Sequence, residues 1–540
     1  MTAISCAEAL VRSLINLEID TIFGIPGAHT YDFYDSLALH DNEIKHYLTR
    51  HEQGAGYMAY GYARSSGRPG VYTCVPGPGL LNTTAALCTA YGANAPVLCI
   101  TGEIPANMIG KGRGILHELP DQLALLKLLT KWSARIDSPT ETAGVVSEAF
   151  RQMISGRKRP VAIEVPWDVF GLKAEVDPAI RLEMMTSPRP DPDLLEQAII
   201  LINESSHPMI MVGGGAVDAG PEILALAEMI QAPVTSFRSG RGIVSDDSPY
   251  GLTCAAAYKL WSDTDLLIGI GSRLELQYLR WKCLPEDLKV IRIDIDPAEM
   301  VRVEPDLGIV CDAREGCLEL QRLLSSKLAR RPSREQQFID VKEATLGEIQ
   351  KVQPQMSYLN VIREVLPRDG YFVEEISQVG MTAYFGFPSY APRHFVSGGY
   401  QANLGFGFQT ALGVKVAHPD KCVVSVTGDG GFMWGVQELA TAVHHNINLV
   451  TVLFNNNAFG NVRRDQTERY EGRVIAADLT NPDFVTLAES FGAMGLRARS
   501  PDELRRCLER AFSENLPVLI EVPCETDAEV SPWEFLEPQR

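Results

Sequence analysis

Residues 421–456 read KCVVSVTGDGGFMWGVQELATAVHHNINLVTVLFNN, and this stretch sets the fold prediction for the rest of the chain. The runs 422–426 and 449–454 are almost wholly apolar and rich in β-branched residues, as are parallel strands that are buried on both faces. Between them, the segment 432–445 is long enough for the crossover helix of a right-handed βαβ unit. Both strands then end at the same edge of one sheet, where open α/β sheets bind ligands.

Two polar side chains are expected at that edge. Asp429 lies between Gly428 and Gly430, where the missing side chains let an anion approach the backbone, and Asn456 directly follows the second strand. A carboxylate, an amide oxygen and a backbone carbonyl are the hard oxygen ligands that suit Mg²⁺. A GDG segment alone is more often an ordinary glycine turn with a capping Asp. The joint pattern is rarer and predicts a metal clamp for a diphosphate.

The pattern GDG…NN resembles the signature of the thiamine diphosphate enzymes, and its spacing agrees with theirs. The resemblance implies that Asp429, Asn456 and the carbonyl of Ala458 hold Mg²⁺ against the diphosphate of thiamine diphosphate. The cofactor-binding positions implied in this part of the chain are Gly428, Asp429, Gly430, Gly431, Asn456 and Ala458. The adjacent His444 and His445 point in different directions on a helix, so they are expected to pack or face solvent rather than bind a ligand.

Composition restricts the class of protein. The 540 residues are 45% hydrophobic and 22% charged, which predicts several globular domains. A formal charge of −19 argues against nucleic acid and anionic membranes as partners. The 11 cysteines form no CxxC pair or zinc spacing, and no stretch has the length of a membrane span or the pattern of an export signal. A soluble cytoplasmic protein with reduced cysteines is expected.

Apolar strands and helices alternate along the whole chain, which predicts an α/β fold. Breaks are expected at the proline-rich segment 187–192 and at the charged segment 329–337. Together with the resemblance, the pattern predicts three doubly wound parallel-sheet domains. These are a pyrimidine-binding domain at 1–180, a central domain at 190–330, and a diphosphate- and Mg-binding domain at 350–540.

Glu52 is the candidate for the group that activates the cofactor. It lies in TRHEQGAGYM, 49–58, between a strand and a helix of small residues, where an acid is also favoured by the helix dipole alone. The segment resembles the activating glutamate of the family, which bonds the aminopyrimidine ring and converts its amine into a base. In the family this glutamate and the metal clamp come from different subunits. The resemblance therefore implies a homodimer or a homotetramer with active sites between subunits.

Other segments resemble cofactor contacts of the family. Leu404, just before the GFG at 405–407, occupies the place of the residue that wedges under the cofactor, although it also fits an ordinary core leucine. Gln378 matches a glutamine near the diphosphate, but Val379 stands where acetolactate synthases usually carry a histidine. The loop GPGLLN, 77–82, which ends at Asn82, matches a loop that packs on the aminopyrimidine.

Two histidines are candidates for substrate contacts. The loop FGIPGAHTYDF, 23–33, matches the first active-site loop of the family, with Pro26 and Gly27 near the cofactor. Its GAH resembles benzaldehyde lyase more than the GG of acetolactate synthases, so His29 is expected to bond a substrate carbonyl or hydroxyl. His117 stands where both relatives carry glutamine. Either histidine can instead be a structural residue, and for His117 the two interpretations are equally weighted.

The resemblance implies a thiamine diphosphate- and Mg²⁺-dependent lyase or ligase of carbon–carbon bonds, in the group of acetolactate synthase and benzaldehyde lyase. In this group a 2-oxo acid loses CO₂ to give an enamine, which attacks a second carbonyl. Simple decarboxylation to an aldehyde is the alternative. A non-catalytic partner subunit is a remote alternative, because such a chain is expected to have lost Glu52, Asp429 or Asn456, and all three are present.

The middle of the chain leaves one cofactor open. The segment VGGGAVDAG, 212–220, lacks the GxGxxG spacing and is interpreted as an ordinary strand-to-helix turn. In some relatives this domain binds FAD or an adenine nucleotide. The sequence does not decide between a bound nucleotide and none.

Overall fold

The computed structural model describes residues 3–179, 182–281 and 283–538. It contains three six-stranded sheets, one after another along the chain, and every strand pair within them is parallel. Helices connect the strands in each sheet. The predicted fold class, three α/β domains with doubly wound parallel sheets, is confirmed.

The first sheet is built by the N-terminal third of the chain. Its strands, in spatial order, are Lys45–Leu48, Thr21–Gly24, Gly70–Cys74, Val97–Glu103, Val161–Pro166 and Trp132–Arg135. Its α-helices are Cys6–Asn16, Tyr31–Leu39, Glu52–Ser66, Pro78–Asn82, Thr84–Gly92, Gln122–Leu129, Thr142–Ile154 and Trp167–Phe170, and its 3₁₀ turns are Ala28–Thr30, Ala106–Met108 and Pro139–Glu141. A separate antiparallel pair joins Ala3–Ser5 to Lys173–Glu175.

The second sheet forms the middle domain. Its strands, in spatial order, are Gly251–Leu252, Val234–Ser236, Pro208–Val212, Leu266–Ile270, Lys289–Asp294 and Leu307–Val310. Its helices are Pro192–Glu204, Gly220–Ile230, Cys254–Tyr258, Leu276–Arg280 with π geometry, Ala298–Arg302 and Ala313–Lys327, and its 3₁₀ turns are Gly214–Ala216, Arg238–Gly240 and Trp261–Asp263.

The third sheet contains the stretch from which the fold was predicted. Its strands, in spatial order, are Phe395–Val396, Tyr371–Val373, Val423–Gly428, Val450–Asn455, Val518–Pro523 and Met494–Arg497. Its helices are Gln355–Val365, Gln378–Gly386, Phe406–Ala417, Asp429–Phe432, Glu438–His444, Gly460–Arg469, Phe484–Phe491, Pro501–Ser513 and Trp533–Leu536. The two predicted neighbours, Val423–Gly428 and Val450–Asn455, pair in parallel.

Two sequence-based expectations need correction. The crossover 432–445 is not one helix, because the chain turns at 433–437, where a Cβ on Gly435 would lie 2.7 Å from Nε2 of Gln409. The segment 329–337 is not a linker throughout, because the helix Glu335–Ile349 begins inside it. This helix buries Phe338 against Tyr250 of the middle domain, with ring centroids 5.5 Å apart. Apolar packing therefore extends the helix into the charged segment.

The first and third domains meet along a seam of two helices, Glu52–Ser66 and Phe406–Ala417. A Cβ on Gly61 would lie well inside van der Waals distance of the carbonyl oxygen of Thr410, and a Cβ on Gly413 equally close to the carbonyl of Met58. Only glycine allows the two backbones to approach this closely. The helices share one apolar core cluster, so the two domains form one packed body. Among the described helices, none is long and apolar enough to cross a membrane.

Candidate active site

Glu52 lies at the N-terminus of a helix beside the loop that follows the third strand of the first sheet. It is the first residue of Glu52–Ser66, and the N-cap His51 accepts a hydrogen bond on Nδ1 from the amide of Gln53 at 3.2 Å. Asn82 Nδ2 donates to Glu52 Oε2 at 3.0 Å. A Cβ on Gly79 would lie 3.4 Å from Oε1. The structure therefore brings the predicted acid and the predicted GPGLLN loop together, with the carboxyl half-buried.

The two candidate histidines stack on each other. Their ring centroids are 5.0 Å apart, and the angle between the ring planes is 29°. The Trp167 ring packs edge-on against the His29 ring, with the two centroids 5.5 Å apart. His29 is 1% exposed, and neither of its ring nitrogens makes a hydrogen bond of ordinary geometry. Burial and the neighbouring His117 lower the pKa of His29, while the backbone of Leu116 raises it. His29 is therefore a neutral imidazole near pH 7, and its polar contact among the described residues is with the backbone of Leu116.

His117 has an unusual backbone. Its φ of 68° lies in the left-handed region, which costs energy for a residue with a side chain. A Cβ on Gly77, which also has a positive φ of 60°, would meet the backbone of His117 within 3.0 Å. On the other loop, a Cβ on Gly27 would overlap the side chain of Val75. The loops carrying Gly27, His29, Gly77 and His117 are therefore packed into one cluster, at the same sheet edge as Glu52.

Asp429 begins the turn at the end of the strand Val423–Gly428. Its side chain is 2% exposed, and Asn481 Nδ2 donates to its Oδ2 at 2.7 Å. Burial raises the pKa of Asp429, while the hydrogen bond from Asn481 lowers it. The same amide of Asn481 also lies 3.0 Å from Oδ1 of Asn455. A buried carboxylate with an amide donor as its side-chain partner is suited to receive a cation.

Asn456 lies beside this turn with its amide group fixed from both sides. Its Nδ2 donates to Oε2 of Glu529 at 2.8 Å, and its Oδ1 accepts from the amide of Ala458 at 3.1 Å. Ala458 pairs with Asp478 in an isolated antiparallel bridge whose hydrogen bonds use the neighbouring residues. The carbonyl of Ala458 therefore points away from that partner strand. Burial raises the pKa of Glu529, and the hydrogen bond from Asn456 partly offsets this rise.

Gln378 provides an unsatisfied donor next to Asn456. It is 4% exposed, its Oε1 accepts from Arg464 Nη1 at 2.9 Å, and its Nε2 is buried without a hydrogen-bond partner. A Cβ on Gly460 would lie 2.8 Å from Nδ2 of Asn456 and 3.8 Å from Cγ of Gln378. Helices begin at both Gln378 and Gly460, so two positive helix ends lie here. An orphaned donor and two helix N-termini fit a phosphate group.

The remaining predicted positions surround these groups. Gly428 leaves open space, since a Cβ there would meet only Ser377 at 3.4 Å, whereas a Cβ on Gly430 or Gly431 would collide with Phe459 or Glu375. Leu404 is half-buried beside Gly405, and Pro26 is exposed. Leu404 is thus not one of the fully buried core leucines, which leaves its apolar side chain partly free to contact a ligand.

The fit to Mg²⁺ rests on mixed oxygen donors. Among the described residues, no group of three or more His, Cys, Asp or Glu side chains could hold a metal ion. The donors in reach are one carboxylate, the amide oxygen of Asn456 and the carbonyl of Ala458, beside a place for phosphate. Mg²⁺ binds through one or two carboxylates and completes its shell with phosphate and water, so these residues fit the ion.

Within one chain, the acid cluster around Glu52 and the metal cluster around Asp429 remain separate. In the described ranges, no hydrogen bond links Glu52, Asn82 or His29 to Asp429 or Asn456. We refer to these two groups of residues as the two half-sites of the candidate active site.

Sequence reasoning missed two residues of the metal cluster, Asn481 and Glu529. Asn481 bonds Asp429 from 52 positions away, and Glu529 bonds Asn456 from 73 positions away. Neither residue lies in a segment with a recognisable pattern. The only local signal is the polar loop LTNPD at 479–483, which resembles any turn.

A cavity of about 440 Å³ lies between the three domains. It opens at the carboxyl end of the middle sheet, against the glycine run 213–215 and Gly271. A Cβ on Gly213 would overlap the carbonyl oxygen of Gly271, so the two loops touch through backbone alone. Basic side chains line it, namely Arg64, Arg157, Lys158, Arg238, Arg273, Arg314 and Arg393.

Comparison with known proteins gives three matches to family models, in the same order as the sheets. Residues 4–125 match the thiamine pyrophosphate enzyme, N-terminal TPP binding domain. Residues 195–320 match the thiamine pyrophosphate enzyme, central domain, and residues 375–522 match its C-terminal TPP binding domain.

Curated relatives match over nearly the full chain. A probable 2-ketoarginine decarboxylase from Pseudomonas aeruginosa is 33% identical over 535 residues, which cover 96% of this chain and 94% of the relative. A probable acetolactate synthase large subunit from Methanocaldococcus jannaschii is 34% identical, with coverage of 96% and 91%. The acetolactate synthase large subunit of Haemophilus influenzae is 30% identical, with coverage of 99% and 97%.

Proposed function

The chain belongs to the thiamine pyrophosphate-dependent enzymes that are similar to acetolactate synthase, and we propose that it forms or breaks carbon–carbon bonds of a 2-oxo acid or an acyloin. The observation that supports this most is that both half-sites are complete. Glu52 is held by Asn82, and Asp429 and Asn456 lie at the ends of two paired strands. A second candidate function is simple decarboxylation of a 2-oxo acid to an aldehyde, which the similarity to a probable 2-ketoarginine decarboxylase favours.

In this proposal Asp429, Asn456 and the carbonyl of Ala458 hold Mg²⁺, and Gln378 donates its free Nε2 hydrogen atoms to the diphosphate. When bound, the cofactor supplies a carbon nucleophile that can also store the electron pair of a broken bond. Glu529 keeps the Asn456 amide in one orientation, since it accepts from Nδ2 and leaves Oδ1 for the metal.

The residues of the first domain handle protons and substrate. With the cofactor bound, the Glu52 carboxyl would hydrogen-bond the aminopyrimidine ring and exchange a proton with it, while Asn82 holds Oε2 of Glu52. His29 is neutral and has no side-chain hydrogen-bond partner among the described residues, so a ring nitrogen can donate to a substrate carbonyl or accept from a hydroxyl. Stacking on His117 fixes the plane of its ring. Leu404 would contact the bound cofactor through its partly exposed side chain.

We also propose a homodimer or homotetramer in the cytoplasm. No hydrogen bond between described residues links the two half-sites within one chain, and a second copy would place its Glu52 opposite Asp429. The first domain then binds the pyrimidine over 1–180, the central domain spans 190–330, and the diphosphate domain spans 350–540.

The function is tested by incubating the purified protein, Mg²⁺ and thiamine diphosphate with a panel of 2-oxo acids, alone and with aldehydes. We expect CO₂ release with an acyloin as the main product when an acceptor is present. If aldehyde is the main product under all conditions, the function is decarboxylation rather than carboligation. Bound cofactor without CO₂, aldehyde or acyloin would instead identify a non-catalytic partner subunit. Protein carrying Asp429→Ala serves as the background control.

A further part of the proposal is that the cavity of the middle domain holds the adenosine diphosphate part of FAD or of an adenine nucleotide. Its glycine run has no side chains, so a ligand can approach the backbone closely. Its lining carries seven basic side chains against five acidic ones, which leaves an excess of positive charge for a diphosphate. Arg238 is the sharpest test, because its Nε is buried without a partner although Nη1 is paired with Glu275 at 2.9 Å.

Arg238→Ala is expected to weaken nucleotide binding roughly ten- to a hundredfold, the range for a lost hydrogen bond to a charged group. Binding of FAD and of ADP is measured by calorimetry. Arg280→Ala is the matched control, because Arg280 pairs with the same Glu275 at 3.0 Å but does not line the cavity. If neither ligand binds the wild-type protein, the nucleotide proposal is wrong.

A further inference from the structure

A helix of the third domain holds the backbone just before Glu52. Glu438, which is fully buried, is the first residue of Glu438–His444. Its Oε1 accepts from the amides of Arg50 at 3.2 Å and His51 at 2.9 Å, and its Oε2 lies 3.1 Å from the Arg50 amide. One carboxyl group therefore accepts hydrogen bonds from two consecutive backbone amides, which lie beyond the end of their strand.

The other end of this helix holds the same segment. Nε2 of His445 accepts from the amide of Leu48 at 2.8 Å, and its ring lies 5.0 Å from that of Tyr47. His445 was expected to pack or face solvent, and its role is packing plus one hydrogen bond. Two side chains of the third domain thus hold three amides of the segment 48–51, which leads directly into the helix of Glu52.

The carboxylate of Glu438 is closely surrounded. Thr441 Oγ1 donates to its Oε2 at 2.5 Å, and a Cβ on Gly54 would lie 2.5 Å from its Oε1. Burial raises the pKa of Glu438 to about 7, while the hydrogen bonds from Thr441 and from the amides of Arg50 and His51 lower it. Its carboxyl also lies at the N-terminus of the helix Glu52–Ser66, where the helix dipole favours the ionised form. Removing its oxygens would take away the acceptor that the partly buried amides of Arg50 and His51 share.

We propose that Glu438 is a positioning residue for Glu52. It fixes the backbone of the two residues before Glu52. It thereby fixes the direction in which the Glu52 side chain points from the start of its helix. Glu438 lies nine positions after Asp429 in the chain, so it also ties the turn of the metal half-site to the acid half-site. The inference rests on the proposed function, in which Glu52 is the group that must be in place.

The first test follows the amides themselves. In holoenzyme carrying Glu438→Met, which keeps the length of the side chain but removes both acceptors, amide hydrogen exchange in the segment 48–54 is expected to be faster than in wild type. Glu438→Gln, which keeps one acceptor oxygen, is expected to restore most of the protection. Asp265→Leu is the matched control, because Asp265 accepts from the amides of Ser206 and His207 in the middle domain. It should leave the segment unchanged.

The second test follows exchange of the C2 proton of bound thiamine diphosphate, measured by NMR after acid quench. Glu438→Met is expected to slow it roughly ten- to a hundredfold, the loss typical of a small misplacement of a catalytic group, at an unchanged Mg²⁺-dependent cofactor affinity. Asp265→Leu should exchange at the wild-type rate. If Glu438→Met leaves both the amide protection and the C2 exchange as in wild type, the inference is wrong.

Thr441→Val keeps the test decisive if Glu438→Met does not fold. It removes the hydroxyl that holds Oε2 of Glu438 and puts a methyl group of similar shape in its place, so it should shift both measurements in the same direction by a smaller amount. Wild-type values for Thr441→Val would then overturn the inference. Failure of the proposed function looks different, since wild-type protein would itself fail to bind the cofactor or to accelerate C2 exchange.

Discussion

Protein carrying Asp429→Ala is expected to lose Mg²⁺-dependent retention of thiamine diphosphate. The carboxylate is the one charged protein ligand that we assign to the metal, and its removal leaves the diphosphate charge poorly compensated. The loss should exceed about a hundredfold, because even residues that only orient metal ligands are worth about ten- to a hundredfold. Calorimetric titration of the cofactor, with and without Mg²⁺, measures the effect.

Two comparisons make this result specific. Asp478→Ala removes an exposed carboxylate that lies opposite Ala458 in the bridge, and it should bind the cofactor as wild type does. Chelating the divalent ions of wild-type protein should reproduce the loss seen with Asp429→Ala. If the Asp429→Ala protein binds thiamine diphosphate with the same Mg²⁺-dependent affinity as wild type, Asp429 is not a metal ligand.

The second large effect is expected for Glu52→Gln. This change keeps the size of the side chain and a partner for Asn82, but it removes the carboxyl that exchanges a proton with the aminopyrimidine ring. The cofactor should still bind, since the metal half-site is untouched. Exchange of its C2 proton should slow by roughly two to four powers of ten, the range for loss of a positioned acid or base.

Glu335→Gln is the matched control for this experiment. Glu335, like Glu52, is the first residue of a 15-residue helix, but it lies on the surface outside both half-sites. Its replacement tests the effect of a helix-start acid alone and should leave C2 exchange unchanged. If Glu52→Gln and wild type exchange the C2 proton at the same rate with the cofactor site fully occupied, Glu52 only stabilises the start of its helix.

The sequence was sufficient to predict those parts of the fold that depend on local pattern. Buried parallel strands such as Val423–Gly428 and Val450–Asn455 have continuous apolar runs, so their existence and pairing followed from the sequence. Glu52 and Asp429 lie in short motifs next to such strands, and this allowed each to be placed at a sheet edge. The break in the crossover at Gly435 depends instead on the approach of Gln409 from another helix, a contact that no local pattern records.

Residues that act through a partner far along the chain could not be predicted. Asn481 and Glu529 matter because of what they bond, and each lies in a loop of ordinary composition. Glu438 is similar, since it lies 387 positions from His51, which it holds, and it looks like an ordinary acid at a helix start. Such roles arise from tertiary packing, which places a side chain next to backbone groups of a different domain.

The glycine seam between the helices Glu52–Ser66 and Phe406–Ala417 also sets an order of events during synthesis. Gly61 leaves the ribosome about 350 residues before Gly413, a delay of roughly 20–70 s at typical elongation rates. During that time the face that Met58 shares with the later helix has no partner, and its apolar surface is open to aggregation or chaperones. Extra chaperone during synthesis should therefore raise the yield of active protein.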